Sequence, residues 1–379
     1  MKKVLALLVA LLMVLSLCSL AAAEGPVAKE DIKIGFVHIS DPSDMGYTYN
    51  HDLGTKAMME ALGLRDDQVI NKYNVPETSE CETAINELID AGCNIIFCTS
   101  FGHGDYALAA AQAYPEIEFC HATGYYAAIY DLPNYHNYFA SVYEARYLAG
   151  IAAGLKTETN LLGYVAAHPF AEVISGFTGF YLGAKSVNPD VEMIVMYTND
   201  WNDPTKEAQV AKALIDQGAD VISQHCDSTA PATTAEANGV FQVGYNSDMI
   251  PAAPNASLVS ARIDWSKYLI YAIESYLAGE AIVTDWSQGI AEGAVYISAL
   301  NTDIIAEGTE EAIAIAQAAL ISGELEVFAG PLYGNDGEIA KITDFAGNVL
   351  FECAEGTVFV EPASAPSFNA ILQGITVIE

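Results

Sequence analysis

The sequence predicts an α/β protein of two lobes, each a parallel sheet flanked by helices, facing each other across a central cleft. Three observations carry that expectation. Short β-branched apolar runs alternate with longer amphipathic ones, the pattern of βαβ units. The alternation restarts near residue 142, and both halves share a rhythm of helix, glycine and strand. Ile89-Asp90-Ala91-Gly92 matches Ile215-Asp216-Gln217-Gly218, each glycine a candidate helix C-cap. No Pro- or Ser-rich linker separates the halves, as expected if the chain crosses between lobes more than once.

Taken in order, Lys33–His38, Gln68–Asn74, Asn94–Cys98 and Glu116–His121 read as strands, alternating with helices over Asp52–Leu62, Cys81–Ala91 and Tyr106–Tyr114. The second half repeats the scheme. Helices over Val142–Leu155, Glu172–Val187, Lys206–Gln217 and Thr229–Ala237 alternate with strands over Leu161–Ala166, Val191–Tyr197, Asp220–Gln224 and Val240–Tyr245. A strand over Ser257–Ile263 and a helix over Trp265–Ala278 follow. Continuous apolar strands such as Asn94–Cys98 imply helices on both sheet faces. Beyond about residue 280 the order is less regular, and Gly323–Asp344 reads as a hairpin turning at Asn335-Asp336-Gly337.

Composition narrows the function. The 379 residues carry 15 Lys+Arg against 49 Asp+Glu, a formal net charge of -34, and 52% are hydrophobic. Disorder is excluded for the bulk of the chain. Binding to a nucleic-acid backbone is excluded by the lack of a basic face. Lys2 and Lys3, the apolar Val4–Leu17 and the small Ala21-Ala22-Ala23 form an export signal over residues 1–23. Cutting after Ala23 leaves 13 Lys+Arg and 49 Asp+Glu, a charge of -36. Cys18 raises a lipid anchor as an alternative to free secretion. The other six cysteines show no CxxC pair and no zinc spacing, and they read as buried thiols.

Ligands in open α/β sheets bind beyond the C-terminal strand ends. Here those ends carry aromatic and hydrogen-bonding residues in register: Asp44-Met45-Gly46-Tyr47-Thr48, Thr99-Ser100-Phe101, Thr198-Asn199-Asp200-Trp201-Asn202-Asp203, His225-Cys226-Asp227 and Asn246-Ser247-Asp248. Aromatic faces stack on planar rings, and carboxylates accept hydrogen bonds from hydroxyl or ring N–H groups. No P-loop, G-x-G-x-x-G or G-x-S-x-G motif is present, and Lys and Arg are scarce in these loops. An uncharged nucleoside or base fits this chemistry better than a nucleotide. His103, His121, His168 and His225 read as hydrogen-bonded residues near strand ends. Glu172 and the many aspartates offer chance pairings, with a nucleoside-cleaving enzyme as a remote alternative. A cation held by Asp44, Asp203, Asp227 and Asp248 is a further alternative. No cofactor, catalytic residue or metal ligand is expected.

The segment Asp44-Met45-Gly46-Tyr47-Thr48-Tyr49-Asn50-His51-Asp52-Leu53-Gly54 resembles the first-loop motif of the basic membrane protein (BMP, Med-like) family of ABC transporter substrate-binding proteins. The resemblance continues through Thr99–Gly102, His121–Tyr125, Tyr143–Gly150, Gly183–Pro189, Trp201–Pro204, Leu214–Ile222 and Gly244–Met249. It implies a type I periplasmic-binding-protein fold, with two Rossmann-like lobes hinged around the cleft. The lobes would divide as 31–141 plus about 265–295, and 142–264 plus about 296–379. It also implies a monomer that captures a purine nucleoside or base and delivers it to permease subunits, with a sugar or other small molecule as the alternative. By motif position the expected ligand residues are Tyr47, Thr48, Ser100, Phe101, Trp201, Asp203, Asp227 and Asp248. Thr48 stands where many members have Asn, and Asp44 is expected to shape its loop rather than touch ligand.

Overall fold

The computed structural model describes residues 26–378. The expected export signal and Cys18 lie outside the described residues. The first sheet is all parallel and contains β1 (Ile34–Val37), β2 (Val69–Lys72), β3 (Ile95–Cys98), β4 (Glu118–Ala122), β5 (Tyr135–Tyr138) and β11 (Asp285–Trp286), in the order β11-β5-β4-β3-β1-β2. The second contains β6 (Leu161–Ala166), β7 (Glu192–Tyr197), β8 (Val221–Gln224), β9 (Phe241–Tyr245), β10 (Ser257–Ile263), β12 (Val295–Ile297) and β15 (Ile375–Ile378). Its order is β12-β10-β9-β8-β6-β7-β15, with only β12 antiparallel. The chain changes sheet after β5, after β10 and again after β11.

Local chemistry explains most element ends. The helix Ser79–Asp90 starts where the Thr78 side chain accepts from the Glu80 amide, and buries Cys81, Ala84, Ile85 and Leu88 at helical spacing. Gly92 and Gly218, just past the helices ending at Asp90 and Asp216, take φ of 82° and 101°. That left-handed backbone closes both helices as their sequences predict.

Two differences have clear causes. The helix expected from Asp52 begins at Tyr47, because the Asp44 carboxylate accepts from the amides of Gly46, Thr48 and Tyr49 and so caps its first turn. Asp44 thus shapes its loop. The turn at Asn335-Asp336-Gly337 forms, with the Gly334 amide donating to Glu338. The antiparallel pair nearby is instead β13 (Lys341–Thr343) with β14 (Val349–Glu352), and Gly323 ends a helix, Thr309–Ser322, that periodicity did not disclose. All six cysteines of the described residues are buried thiols.

The helices Val142–Lys156 and Ala171–Val187 pack together beneath the second sheet through reciprocal glycines. A Cβ on Gly150 would lie 2.0 Å from the Phe180 carbonyl oxygen, and one on Gly183 would lie 1.9 Å from that of Tyr147. The backbones touch, so neither position has room for a methyl group. Gly183→Ala is expected to cost about 1–3 kcal/mol of stability, the range for overpacking, measured by urea unfolding. An unchanged midpoint and slope would contradict this packing.

Candidate ligand-binding cleft

Strand order reverses between β1 and β3 in the first sheet, and between β6 and β8 in the second. Such switch points open a crevice beyond the strand ends. The two crevices face each other around one nearly closed cavity of about 20 Å³, room for little more than a water molecule and far below the roughly 300–1,000 Å³ usual for ligand sites. The first sheet's side contributes Tyr47, Thr99, Ser100, Phe101 and Thr123; the second contributes Glu172, Trp201, His225, Asp227 and Tyr245.

Several wall residues are held from behind. The Tyr47 hydroxyl donates to the Thr99 carbonyl at 2.5 Å, and its ring meets His51 and Trp265 edge-on, with centroids 4.7 and 5.9 Å apart. Trp265 lies where the chain returns to the first sheet, and stacks on His51 at 4.0 Å. Ser100 donates to Glu77 at 2.7 Å. Phe101 and Trp201 both pack on Phe170, at 5.3 and 6.1 Å. Arg146, 1% exposed, lays its guanidinium 3.9 Å from the centre of the Tyr245 ring and donates to the Gln224 carbonyl.

The wall includes no Lys or Arg, and two acids share it. Asp227 is 4% exposed, and burial, with the Asp44, Glu207, Glu172 and Glu77 charges nearby, lifts its carboxyl well above the usual range. Burial pushes Glu172 up to about 8, against the pull of Arg146. His225 is held neutral, first by burial and then by Arg146.

Of the eight expected ligand residues, Tyr47, Ser100, Phe101, Trp201 and Asp227 line the cavity. Three lie off it. Thr48 is in the first helical turn, fully buried, its amide given to Asp44. Asp203 caps the helix Pro204–Asp216, accepting from the Thr205 and Lys206 amides, with the Lys206 ammonium 3.4 Å away. Asp248 accepts from the Ile250 amide. Short acidic loops before a helix serve both capping and binding, and motif position did not separate the two. Thr99, Thr123, Glu172, His225 and Tyr245 line the cavity outside the expected ligand set, although Glu172 and His225 follow β6 and β8, the strands at the switch point. Among the described residues, no group of three or more His, Cys, Asp or Glu side chains is placed to hold a metal ion.

The family model described as Bmp, ABC transporter substrate-binding protein PnrA-like, matches residues 32–328. The chain belongs to this family. It is 39% identical over 314 residues to a purine-binding protein of Brucella abortus, an alignment covering 82% of this chain and 87% of that one. It is 32% identical over 315 residues to a putative ABC transporter glucose-binding protein of Haloferax volcanii, covering 83% and 78%. Among solved structures, an ABC transporter solute-binding protein of Aeropyrum pernix superposes with a TM-score of 0.65 at 18% identity, covering 78% of this chain and 92% of that one. The chain is therefore a substrate-binding protein of an ABC transporter, an extracytoplasmic and non-enzymatic small-molecule binder that works with permease subunits.

As expected of such a binder, its two halves meet closely around the cavity. A Cβ on Gly46 would lie 1.6 Å from the Asp227 carbonyl oxygen, and the Ser247 hydroxyl donates to the Met45 carbonyl. Asn50 donates to the Ile263 carbonyl at 2.9 Å and accepts from Arg262 at 3.1 Å. Gly46→Ala is expected to hold the halves apart, weakening ligand binding at least about tenfold, or 1.4 kcal/mol, with the melting temperature of the ligand-free protein kept. Unchanged affinity by calorimetry would contradict the contact.

The buried acids also set a pH dependence. Burial raises Glu144 and Glu207 to about 7 and Glu172 to about 8. Each acid binds its proton more tightly folded than unfolded, so stability falls as pH rises from the ordinary carboxylate value of 4.5 up to these values and levels off above them. Burial holds His38, His103 and His121 down at about 4, so their contribution is complete above about pH 6.5 and is lost only on acidification. The melting temperature of the ligand-free protein is expected to fall between about pH 6.5 and 8.5; a rise across that window would refute this.

Proposed function

We propose that the cleft captures an uncharged purine base or nucleoside, held by aromatic faces from both lobes and by hydrogen bonds to Asp227. The carrying observation is one small cavity that combines Tyr47, Phe101 and Trp201 with an unpaired buried carboxyl and no lining cation. Planar heterocycles match the rings. Their N–H groups, or ribose hydroxyls, match the carboxyl. A phosphorylated ligand would find no lining cation to pair with its phosphate. The relative named as a purine-binding protein supports this reading. The relative named as glucose-binding supports a second one, in which the same rings pack on a sugar.

In this account the chain works as a monomer after export, either released by cleavage after Ala23 or tethered through Cys18. Thr48, Asp203 and Asp248 drop out of the proposed ligand set, and Glu172, Thr123 and Tyr245 enter it.

Titration calorimetry with adenine, adenosine, guanosine, inosine and glucose tests the reading. A purine should bind without turnover and glucose should not. Trp201→Ala and Tyr47→Ala should each cost about 1–3 kcal/mol, and Asp227→Asn should weaken binding further. Tight glucose binding with silent purines would install the second reading.

A further inference from the structure

A ligand can enter only if the two halves part, because the cavity in this arrangement has room for little more than a water molecule. A tie between the halves lies away from the cavity, in the C-terminal segment past residue 328, where the family match ends.

Glu361-Pro362-Ala363-Ser364-Ala365-Pro366-Ser367-Phe368 forms a compact loop whose two ends meet on one carboxylate. Glu361 accepts from the Ser367 amide at 2.6 Å, the Ser367 hydroxyl at 2.8 Å and the Phe368 amide at 3.0 Å. It also accepts, at 3.3 Å, from the hydroxyl of Ser175, which is fully buried on the helix Ala171–Val187. Phe368 adds an apolar anchor. It stacks on Phe328 at 4.3 Å, and Phe328 packs at 4.9 Å on Tyr143 of the helix Val142–Lys156. After the loop the chain enters β15, which joins the second sheet beside β7. The base of the loop is thus fixed to the second sheet and its helix pair.

The tip reaches the other half. Ser364, 3% exposed, donates its amide to one Asp285 carboxylate oxygen at 2.8 Å and its hydroxyl to the other. Asp285 opens β11, the edge strand of the first sheet. Two hydrogen bonds to a charged acceptor make this a firm contact. The loop is also short and stiff. Ser364 stands three residue steps from Glu361 and three from Ser367, a reach of at most about 11 Å on either side. Pro362 and Pro366 each fix a backbone dihedral in one arm.

Directly after β11 the chain crosses to the second sheet. There the Ser141 amide donates to the Gln288 carbonyl, and the Ile290 amide to the Glu144 carboxylate. A tie beside a crossing lies near the axis about which the halves turn. It can hold while the cleft opens and still limit how far.

We infer that Ser364 and Asp285 are positioning residues for ligand capture. The loop is a tether from the second sheet to the edge of the first, and it restricts the swing of the halves so that both cavity walls stay within reach of one ligand. Without it the ligand-free protein spends more time too open to bind, and apparent affinity falls with the competent fraction. The inference holds for any small molecule the cleft takes.

Small-angle X-ray scattering, with calorimetry against adenosine and glucose, tests it on wild type, Asp285→Ala and Ser364→Ala. Ligand-free Asp285→Ala should have a larger radius of gyration than wild type. It should bind about fivefold more weakly, as when the competent fraction drops from about a half to about a tenth, and its saturated complex should return to the wild-type radius. Ser364→Ala, which keeps the amide bond, should fall between the two. A contact that only stabilises the fold would lower the melting temperature and leave the ligand-free radius and the affinity at wild-type values; that result overturns the proposal. So does weaker binding with an unchanged ligand-free radius. Should Asp285→Ala fail to fold, Ser364→Ala decides, and a wild-type radius for it refutes the tether. The ligand-free radius is measured without any ligand, so it judges the tether even if no purine binds.

Discussion

Two carboxyl groups, Asp227 and Glu172, are buried on the wall of one cavity that has no lining cation. Burying charge without a partner is costly, so the site is incomplete until a ligand supplies complementary hydrogen atoms or the acids keep their protons. A wall without cations gives an anion no partner, and the two carboxyls offer acceptors, or donors while they keep their protons. The -34 net charge of the chain points the same way, toward uncharged ligands.

The fold exists to bring those acids to face the aromatic wall. Each sheet alone offers half a site at its switch point. The Asp44 carboxylate starts the helix at Tyr47, and Trp265 braces that ring from a segment where the chain returns to the first sheet. On the other side, Arg146 lies against Tyr245 and donates to the Gln224 carbonyl, linking the packed helix pair to the cavity wall. The absence of a side chain at Gly46 then lets the halves meet at the Asp227 backbone.

Much of this was legible in the sequence. Apolar runs such as Asn94–Cys98 and Leu161–Ala166 are strands because both their faces are covered, and Gly92 and Gly218 read as caps because only the left-handed backbone ends those helices. Of the residues in the strand-end loops, Tyr47, Ser100, Phe101, Trp201 and Asp227 line the cavity. What was not legible was which acid in a loop faces inward. Asp203 and Asp248 satisfy nearby backbone amides, whereas Glu172 and Asp227 do not. That distinction depends on the direction of side chains in a closed tertiary structure. The helix Thr309–Ser322 was missed for another reason: its apolar residues surround it, leaving little periodicity to read.

A crystal structure of the protein purified from its own host, with its native ligand retained, tests the central claim most directly. The account predicts an uncharged heteroaromatic ring against Trp201, within hydrogen-bond distance of Asp227 and Glu172. A phosphorylated molecule in the cleft, a bound metal cation between the two acids, or a ligand lying away from both would contradict it.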